Sequence, residues 1–152
     1  MGCNYLERSD IMHYIKSCGF IAFKKINNEI FYLIIKQKNN DIGFPKGRVE
    51  NNESELETAI RELKEETNIE VNVIDNFRVQ IEYKVNNFIK QVVYFLGECI
   101  NEDIIIQEQE VKEAWFLSFD EALNLITYKD TKNVLIEAKK LLIIYKEKML
   151  CM

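Results

Sequence analysis

The chain has 152 residues, a net charge of −5 and 47% apolar residues. This length and apolar content suit one domain, residues 1–152, with one filled core, and they exclude a disordered chain. The acidic total argues against tight non-specific binding to DNA or RNA, because such binding depends on Lys and Arg neutralising phosphates. A small or short substrate is therefore expected rather than a duplex.

Targeting signals are not evident in the sequence. No apolar run reaches the roughly 20 residues that span a bilayer, and residues 1–16 lack the apolar core of a secretory signal. The first residues, MGCNYL, begin like a lipidation site, but Leu6 stands where N-myristoylation requires Ser or Thr. We expect a cytoplasmic protein that does not associate with membranes.

Cysteine and histidine usage restricts the possible chemistry. The cysteines are far apart in sequence and form no C-x-x-C pair, which argues against a disulfide framework or a zinc site. They are Cys3, Cys18, Cys99 and Cys151. The single histidine, His13, is interpreted as a structural strand residue. Catalysis would therefore depend on carboxylates.

Two β-hairpins are predicted from aromatic and β-branched runs joined by asparagine pairs. The first has strands near 17–25 and 30–38, and the second spans about 77–98. Asparagine tolerates the positive φ that a tight hairpin turn needs. The turn residues are Asn27, Asn28, Asn86 and Asn87. A mostly antiparallel or mixed sheet is expected.

A helix is predicted between the hairpins. Ser54 as N-cap and Glu57 three residues later form a capping box, and Asn68 suits the left-handed position that ends a helix. The predicted apolar stripe consists of Leu56, Ile60 and Leu63. This stripe would face the core and leave the acidic face toward the preceding loop.

The C-terminal third is predicted to contain a strand at 113–117, a short helix at 118–126 capped by Ser118, and a long amphipathic helix at 132–149. One face of the long helix is interpreted as core packing. It carries Leu135, Ala138, Leu142, Tyr145 and Met149. Helices before and after the strands predict an α/β fold, an α/β/α sandwich with a mixed sheet.

Acidic residues are concentrated in one segment, since positions 50–70 contain eight glutamates against two cations. Glu62, Glu65 and Glu66 are spaced i, i+3, i+4, which predicts three carboxylates on one helix face. Oxygen ligands select hard cations, Mg²⁺ or Mn²⁺, which would also attract a polyphosphate. A solvated acidic face without a ligand is the alternative.

The loop before this helix, IGFPKGRVE, has Pro45 between Gly43 and Gly47. A rigid turn beside a conformationally permissive glycine can bring a backbone carbonyl to the acidic face as a further oxygen ligand. Lys46 and Arg48 supply cations suited to phosphate.

Arg61 lies four residues before Glu65 and is expected to orient a carboxylate or to pair with Glu53.

The spacing of these residues resembles the Nudix box of residues 47–69, which runs glycine, five residues, glutamate, seven residues, then R-E-U-x-E-E-x-G-U with U a bulky aliphatic. Asn68 replaces the final glycine. The resemblance implies an enzyme that hydrolyses a nucleoside diphosphate linked to another moiety. It places metal on Glu62, Glu65, Glu66 and the Gly47 carbonyl, with a metal-activated water attacking phosphorus.

The flanks of the box resemble the asymmetrical diadenosine tetraphosphate hydrolases from about Ser17 to Leu142, in segments such as EYKVNNFIKQVVYFLGE and WFLSFDEALNLITY. This similarity implies that Tyr83 and Tyr128 stack on adenine and that Lys90 contacts phosphate. Ordinary structural roles for these three side chains remain the alternative. Tyr94 is expected in the core.

The same resemblance implies a further glutamate that binds metal or acts as a base. It falls on Glu110, with Glu108 as the alternative. The chain departs from the subfamily at Ile42, where an aromatic residue is usual, and at Arg48, where a histidine is common.

Two other functions are compatible with parts of the sequence. An RNA 5′ pyrophosphohydrolase would share the metal helix but predicts a basic groove, and the chain outside positions 50–70 is nearly neutral. A non-catalytic sensor of dinucleotides would bind them with Mg²⁺ and turn none over.

Overall fold

The computed structural model describes residues 13–150, and the side chains of residues 13–148. The expectations for residues 1–12, for Cys151 and for the side chain of Met149 lie outside this part of the chain. The strands are β1 (His13–Ile26), β2 (Glu29–Gln37), β3 (Ile42–Gly43), β4 (Lys46–Arg48), β5 (Val71–Val73), β6 (Val79–Val85), β7 (Phe88–Cys99) and β8 (Val111–Leu117). The helices are α1 (Glu55–Thr67), α2 (Phe119–Leu125) and α3 (Lys129–Leu150).

The strands form one mixed eight-stranded sheet with the central order β3-β2-β1-β7-β5. β4 pairs with β1, β6 with β7 and β8 with β2. β1 and β7 run parallel along their lengths, from His13 opposite Phe88 to Phe23 opposite Glu98. All other pairings are antiparallel. The expected mixed sheet is confirmed.

Two core layers cover the faces of the sheet. One packs α1 against it through Ala59, Leu63 and strand residues such as Phe20. The other packs α2 and α3 against the opposite face through Ala122, Leu135 and their neighbours. Because alternate strand residues point to opposite faces, one sheet supplies both cores. The α/β/α sandwich is confirmed.

Asparagine forms the turns with positive φ at three of the four predicted positions, and Asn87 is the exception. Asn27 has a φ of 50°, Asn28 of 69° and Asn86 of 55°. In residues 13–150, positive φ occurs at eight asparagines and at no glycine. Asparagine therefore takes the backbone positions that glycine often fills.

Helix α1 has the predicted ends. The Ser54 hydroxyl accepts from the Glu57 N–H, the Glu57 carboxylate accepts from the Ser54 N–H, and Asn68 adopts a left-handed φ of 68°. The predicted apolar stripe is wrong at Ile60, which is 46% exposed. The buried face instead follows Ala59, Leu63 and the residues beside them, since this is the side of the helix that meets the sheet.

The interpretation of the last helix is confirmed for three residues and wrong for Tyr145. Leu135, Ala138 and Leu142 are buried, whereas Tyr145 is 50% exposed. The core ends at Leu142, and the next turn of α3 continues beyond it. Within residues 13–150, no helix is both long and apolar enough to cross a membrane.

Replacing Asn68 tests the helix end. The Asn68 side-chain amide donates to the Asp103 carbonyl at 3.0 Å. We expect Asn68→Ala to lower the free energy of unfolding by about 1–2 kcal/mol, because alanine is strained at positive φ and loses this bond. Thermal denaturation measures the change. Asn68→Gly keeps the conformation and loses only the hydrogen bond, so a larger loss in that control would contradict the argument.

Candidate active site

The buried face of α1 carries two of the predicted glutamates. Glu62 is 8% exposed and Glu66 is 2% exposed, and both lie on the side of the helix that faces the sheet. Glu65 is exposed, and its carboxylate accepts from Arg61 at 3.2 Å. The three glutamates therefore do not share one environment, and two of them are held away from bulk water.

A third carboxylate joins the buried pair from outside the helix. Oxygens of Glu62, Glu66 and Glu110 lie within 4.8 Å of one another. Of the two candidates weighed for the additional glutamate, the structure brings Glu110 to the cluster and does not include Glu108. We call these three side chains the carboxylate cluster.

Glu110 reaches the cluster because the preceding segment runs along the C-terminal end of α1. The Ile105 N–H donates to the Thr67 carbonyl at 3.0 Å, and the Gln107 N–H donates to the Glu66 carbonyl at 3.1 Å. Helix carbonyls at this end have no partner within the helix, so the segment satisfies them. The Glu110 N–H then donates to the Gln107 carbonyl at 3.0 Å, which closes a turn beside the site.

Gly47 leaves room for the Glu62 carboxylate because glycine has no side chain. It lies in β4 opposite Cys18 of β1, and a β-carbon there would be 2.1 Å from the Glu62 Cδ. The φ of Gly47 is not positive, so a left-handed backbone does not explain this glycine. The Gly47 carbonyl as a metal ligand stays a prediction. Glycine is required by the close approach of the Glu62 carboxylate.

The chemistry of Glu66 is set by burial. Burial and the nearby Glu62 and Glu110 raise the pKa of Glu66 to about 8. The Lys46 N–H donates to Glu66 Oε1 at 2.9 Å, and this hydrogen bond acts in the opposite direction by lowering the pKa. Burial also raises the pKa of Glu62, although the Arg61 guanidinium opposes this. The carboxyl groups of Glu62 and Glu66 can therefore each bind either a proton or a cation.

Arg61 connects the helix to the loop before it. Its Nε donates to Glu53 Oε2 at 2.7 Å, and its Nη1 donates to Glu62 Oε1 at 2.9 Å. Its Nη2 donates to the Arg48 carbonyl at 3.0 Å. Hydrogen bonding to Arg61 holds the pKa of Glu53 at about 2. Both roles expected for Arg61 are confirmed, since it pairs with Glu53 and orients a carboxylate of the cluster.

A pocket of about 480 Å³ lies next to the cluster. Among the residues predicted to bind substrate, Lys46, Lys90, Tyr83 and Tyr128 line it. Lys46 links the two regions, because its N–H binds Glu66 while the residue also lines the pocket. Arg48 is exposed and does not line the pocket.

The register of the second hairpin explains the pocket wall. Tyr83 lies opposite Lys90 in the β6–β7 pairing, so both side chains reach the same face. Burial lowers the pKa of Lys46, and the charge of nearby Lys90 lowers it further. Tyr94 lines the pocket floor and is 1% exposed, which confirms its place in the core.

Sequence reasoning missed polar residues of the pocket, among them Asp41, Asp130 and Thr131. Asp41 directly precedes Ile42, the position where the sequence departs from the subfamily, and this neighbourhood was the available signal. Ile42 also lines the pocket, with an aliphatic side chain. Of the cysteines in the described part of the chain, Cys18 is buried and both Cys18 and Cys99 are free thiols.

The donor set of the cluster fits a divalent metal. It offers carboxylate oxygens alone, two of them on buried groups whose negative charge needs compensation. Such a set suits Mg²⁺ or Mn²⁺ and not the softer metals that prefer sulfur or imidazole.

Comparison with known proteins agrees with this geometry. Residues 19–138 match the family profile of the NUDIX domain, and the chain belongs to the Nudix family of hydrolases. The asymmetrical bis(5′-nucleosyl)-tetraphosphatase of Sus scrofa is 34% identical over 140 residues, which cover 84% of this chain and 95% of that protein. The Rattus norvegicus enzyme of the same name is 32% identical over equal shares.

A solved structure shares the fold. The crystal structure of a C. elegans Ap4A hydrolase binary complex has a TM-score of 0.80 with this chain at 24% identity. The match covers 85% of this chain and 98% of the C. elegans chain. The protein is thus a Nudix pyrophosphohydrolase similar to the asymmetrical Ap4A hydrolases.

Proposed function

We propose that this single Nudix domain cleaves diadenosine tetraphosphate asymmetrically into ATP and AMP, with Mg²⁺ or Mn²⁺ as cofactor. The observation that carries the proposal is that the pocket adjoins the carboxylate cluster. Tyr83, Tyr128, Lys46 and Lys90 are among the residues that line the pocket, and the Lys46 N–H also donates to Glu66 of the cluster. The names of the relatives from Sus scrofa and Rattus norvegicus support the same substrate.

Metal binding is assigned to Glu62, Glu66 and Glu110, with Glu65 and the Gly47 carbonyl as the further ligands implied by the Nudix box. Bound divalent ions neutralise polyphosphate charge and make water a better nucleophile. Arg61 holds Glu62 in place and shares its charge. The Lys46 N–H fixes Glu66 in the same way.

Substrate recognition is assigned to the pocket. Tyr83 and Tyr128 offer aromatic faces, on which an adenine can stack without strong sequence preference. Lys46 and Lys90 supply positive charge to the phosphate chain, and Arg48 adds charge from the exposed end of β4. In the reaction, water forms a bond to one phosphorus, the adjoining anhydride P–O bond breaks, and AMP and ATP leave.

Product analysis tests the proposal. The purified protein with Mg²⁺ is incubated with diadenosine tetraphosphate, and separately with a short 5′-triphosphorylated RNA. We expect ATP and AMP in equal amounts from the first and no reaction with the RNA. Release of pyrophosphate from the RNA alone would move the protein to RNA processing. Binding of the dinucleotide without turnover would identify a sensor.

Lys90 offers a second test. We expect Lys90→Ala to raise the KM for diadenosine tetraphosphate about tenfold with little change in kcat, because the lysine contributes charge to binding. Lys84→Ala is the matched control. Lys84 lies on the same hairpin, is exposed and does not line the pocket. Equal effects of the two substitutions would remove Lys90 from the site.

A further inference from the structure

Two segments far apart in sequence are joined at the rim of the pocket. The Ile42 N–H donates to the Thr127 hydroxyl at 2.7 Å, and the Thr127 N–H donates to the Ile42 carbonyl at 3.0 Å. Beside this pair, the Tyr128 hydroxyl donates to Asp41 Oδ2 at 2.9 Å. The turn after β2 and the connection between α2 and α3 therefore hold each other in one arrangement.

Asp41 is itself fixed before it meets the tyrosine. The Asn39 amide donates to Asp41 Oδ2 at 3.2 Å, and the Asp41 N–H donates to Asn39 Oδ1 at 2.9 Å. The Gln37 N–H donates to the Asp41 carbonyl at 2.8 Å, which closes the turn. The carboxylate is therefore held at a defined place on a tight turn and does not depend on Tyr128 for its position.

Tyr128 depends on a hydrogen-bond partner to hold its ring in place. Its side chain is 56% exposed, so packing alone leaves the ring free to change rotamer. A hydrogen bond from the hydroxyl end restricts both the ring's direction and its position. A binding side chain that is already ordered loses less conformational entropy when the ligand arrives.

We infer that Asp41 is a positioning residue, which holds the Tyr128 ring as a preformed wall of the pocket and so strengthens binding of the adenine base. The inference rests on the proposed function, which assigns Tyr128 to the base. Asp41, Tyr83 and Tyr128 line the same pocket. Asp41 acts through its hydrogen bond with the Tyr128 hydroxyl.

The test is a double-mutant cycle with two readouts. KM and kcat are measured with diadenosine tetraphosphate, and the Kd for AMP is measured by calorimetry, since AMP carries the base and has no anhydride to cleave. We expect Asp41→Ala and Tyr128→Phe each to raise KM and Kd about three- to tenfold, with kcat within about twofold. The double variant should show no larger change than either single variant.

A conservative variant distinguishes the hydrogen bond to Tyr128 from the negative charge of Asp41. Asp41→Asn retains an acceptor for the tyrosine hydroxyl and removes the negative charge, so its KM and Kd should stay within about twofold of the wild type. Thermal denaturation of each variant reports any general loss of stability.

Several results would overturn the inference. They are additive effects in the double variant, an unchanged Kd in Asp41→Ala, or a loss in Asp41→Asn as large as in Asp41→Ala. A wild type that binds AMP but does not cleave the dinucleotide contradicts the proposed reaction. The Kd values for AMP in the double-mutant cycle then decide the role of Asp41 independently of that reaction. A wild type that binds no AMP overturns the inference as well.

Discussion

The Glu66→Gln variant is expected to lose at least about three orders of magnitude in kcat while its metal-free form becomes more stable than the wild type. Glutamine has nearly the same shape but removes a charged ligand from the carboxylate cluster. It also removes a buried acid that is costly to ionise, because Glu66 is only 2% exposed. We expect the midpoint of thermal unfolding in EDTA to rise by about 3–8 °C at pH 7.

The pH dependence identifies the cause. The pKa of Glu66 is raised from 4.5 to about 8 in the folded protein, chiefly by burial. The folded state therefore binds this proton more tightly than the unfolded state, and its stabilising contribution is lost as pH rises from about 4.5 to 8. The gap between the metal-free variant and wild type should widen over this range and level off above it.

Metal binding provides the matching measurement. Mg²⁺ should raise the unfolding midpoint of the wild type, and more strongly at pH 8 than at pH 6, because metal and proton compete for Glu66. The Glu66→Gln variant should show little of this shift. Glu70→Gln is the control, since Glu70 is exposed and pairs with Lys64 on the surface at 3.7 Å. Equal losses in both variants would contradict the metal assignment.

The Gly47→Ala variant is expected to lose about two orders of magnitude in kcat with its secondary structure retained. A β-carbon at position 47 would lie 2.1 Å from the Glu62 Cδ and 2.3 Å from its Oε1, so the carboxylate must leave its place. That movement also breaks the bond from Arg61 to Glu62. Circular dichroism, kcat and the Mg²⁺-dependent shift in unfolding midpoint measure the outcome.

Gly43→Ala is the matched glycine control for Gly47→Ala. The nearest atom to its added β-carbon is the Thr131 Cγ2 at 3.6 Å, an ordinary contact. Neither glycine has positive φ, so backbone strain is absent from both substitutions. We expect Gly43→Ala to lower kcat by less than about fivefold. A retained kcat in Gly47→Ala would show that Glu62 does not need its observed position.

Local features were predictable because their causes are local. Asparagine pairs at 27–28 and 86–87 predicted both hairpins, since few other residues tolerate the backbone conformation of a tight turn. Ser54, Glu57 and Asn68 predicted both ends of α1, because capping depends on side chains within one helical turn. The glutamate spacing predicted that Glu62 and Glu66 share one face of α1, because positions four apart in a helix are neighbours.

The orientation of helices was less predictable. Hydrophobic periodicity shows that a helix has two different faces. It does not show which residues of the strands and loops pack against each face. Ile60 is therefore exposed, while Glu62 and Glu66 occupy the face that meets the sheet. The same periodicity predicts a core position for Tyr145, although the core ends at Leu142.

The turns, the ends of α1 and the acidic residue types that suit a divalent metal could be read from the sequence, because they depend on neighbours within a few residues. The fold class followed from the order of the predicted strands and helices. Which carboxylates meet depends on tertiary packing. Glu110 joins Glu62 and Glu66 through bonds between α1 and the 105–107 segment. Gly47 is needed because two elements approach closely, and Tyr128 meets Asp41 across 87 positions of sequence. Such contacts depend on how strands and helices pack, which no local pattern specifies.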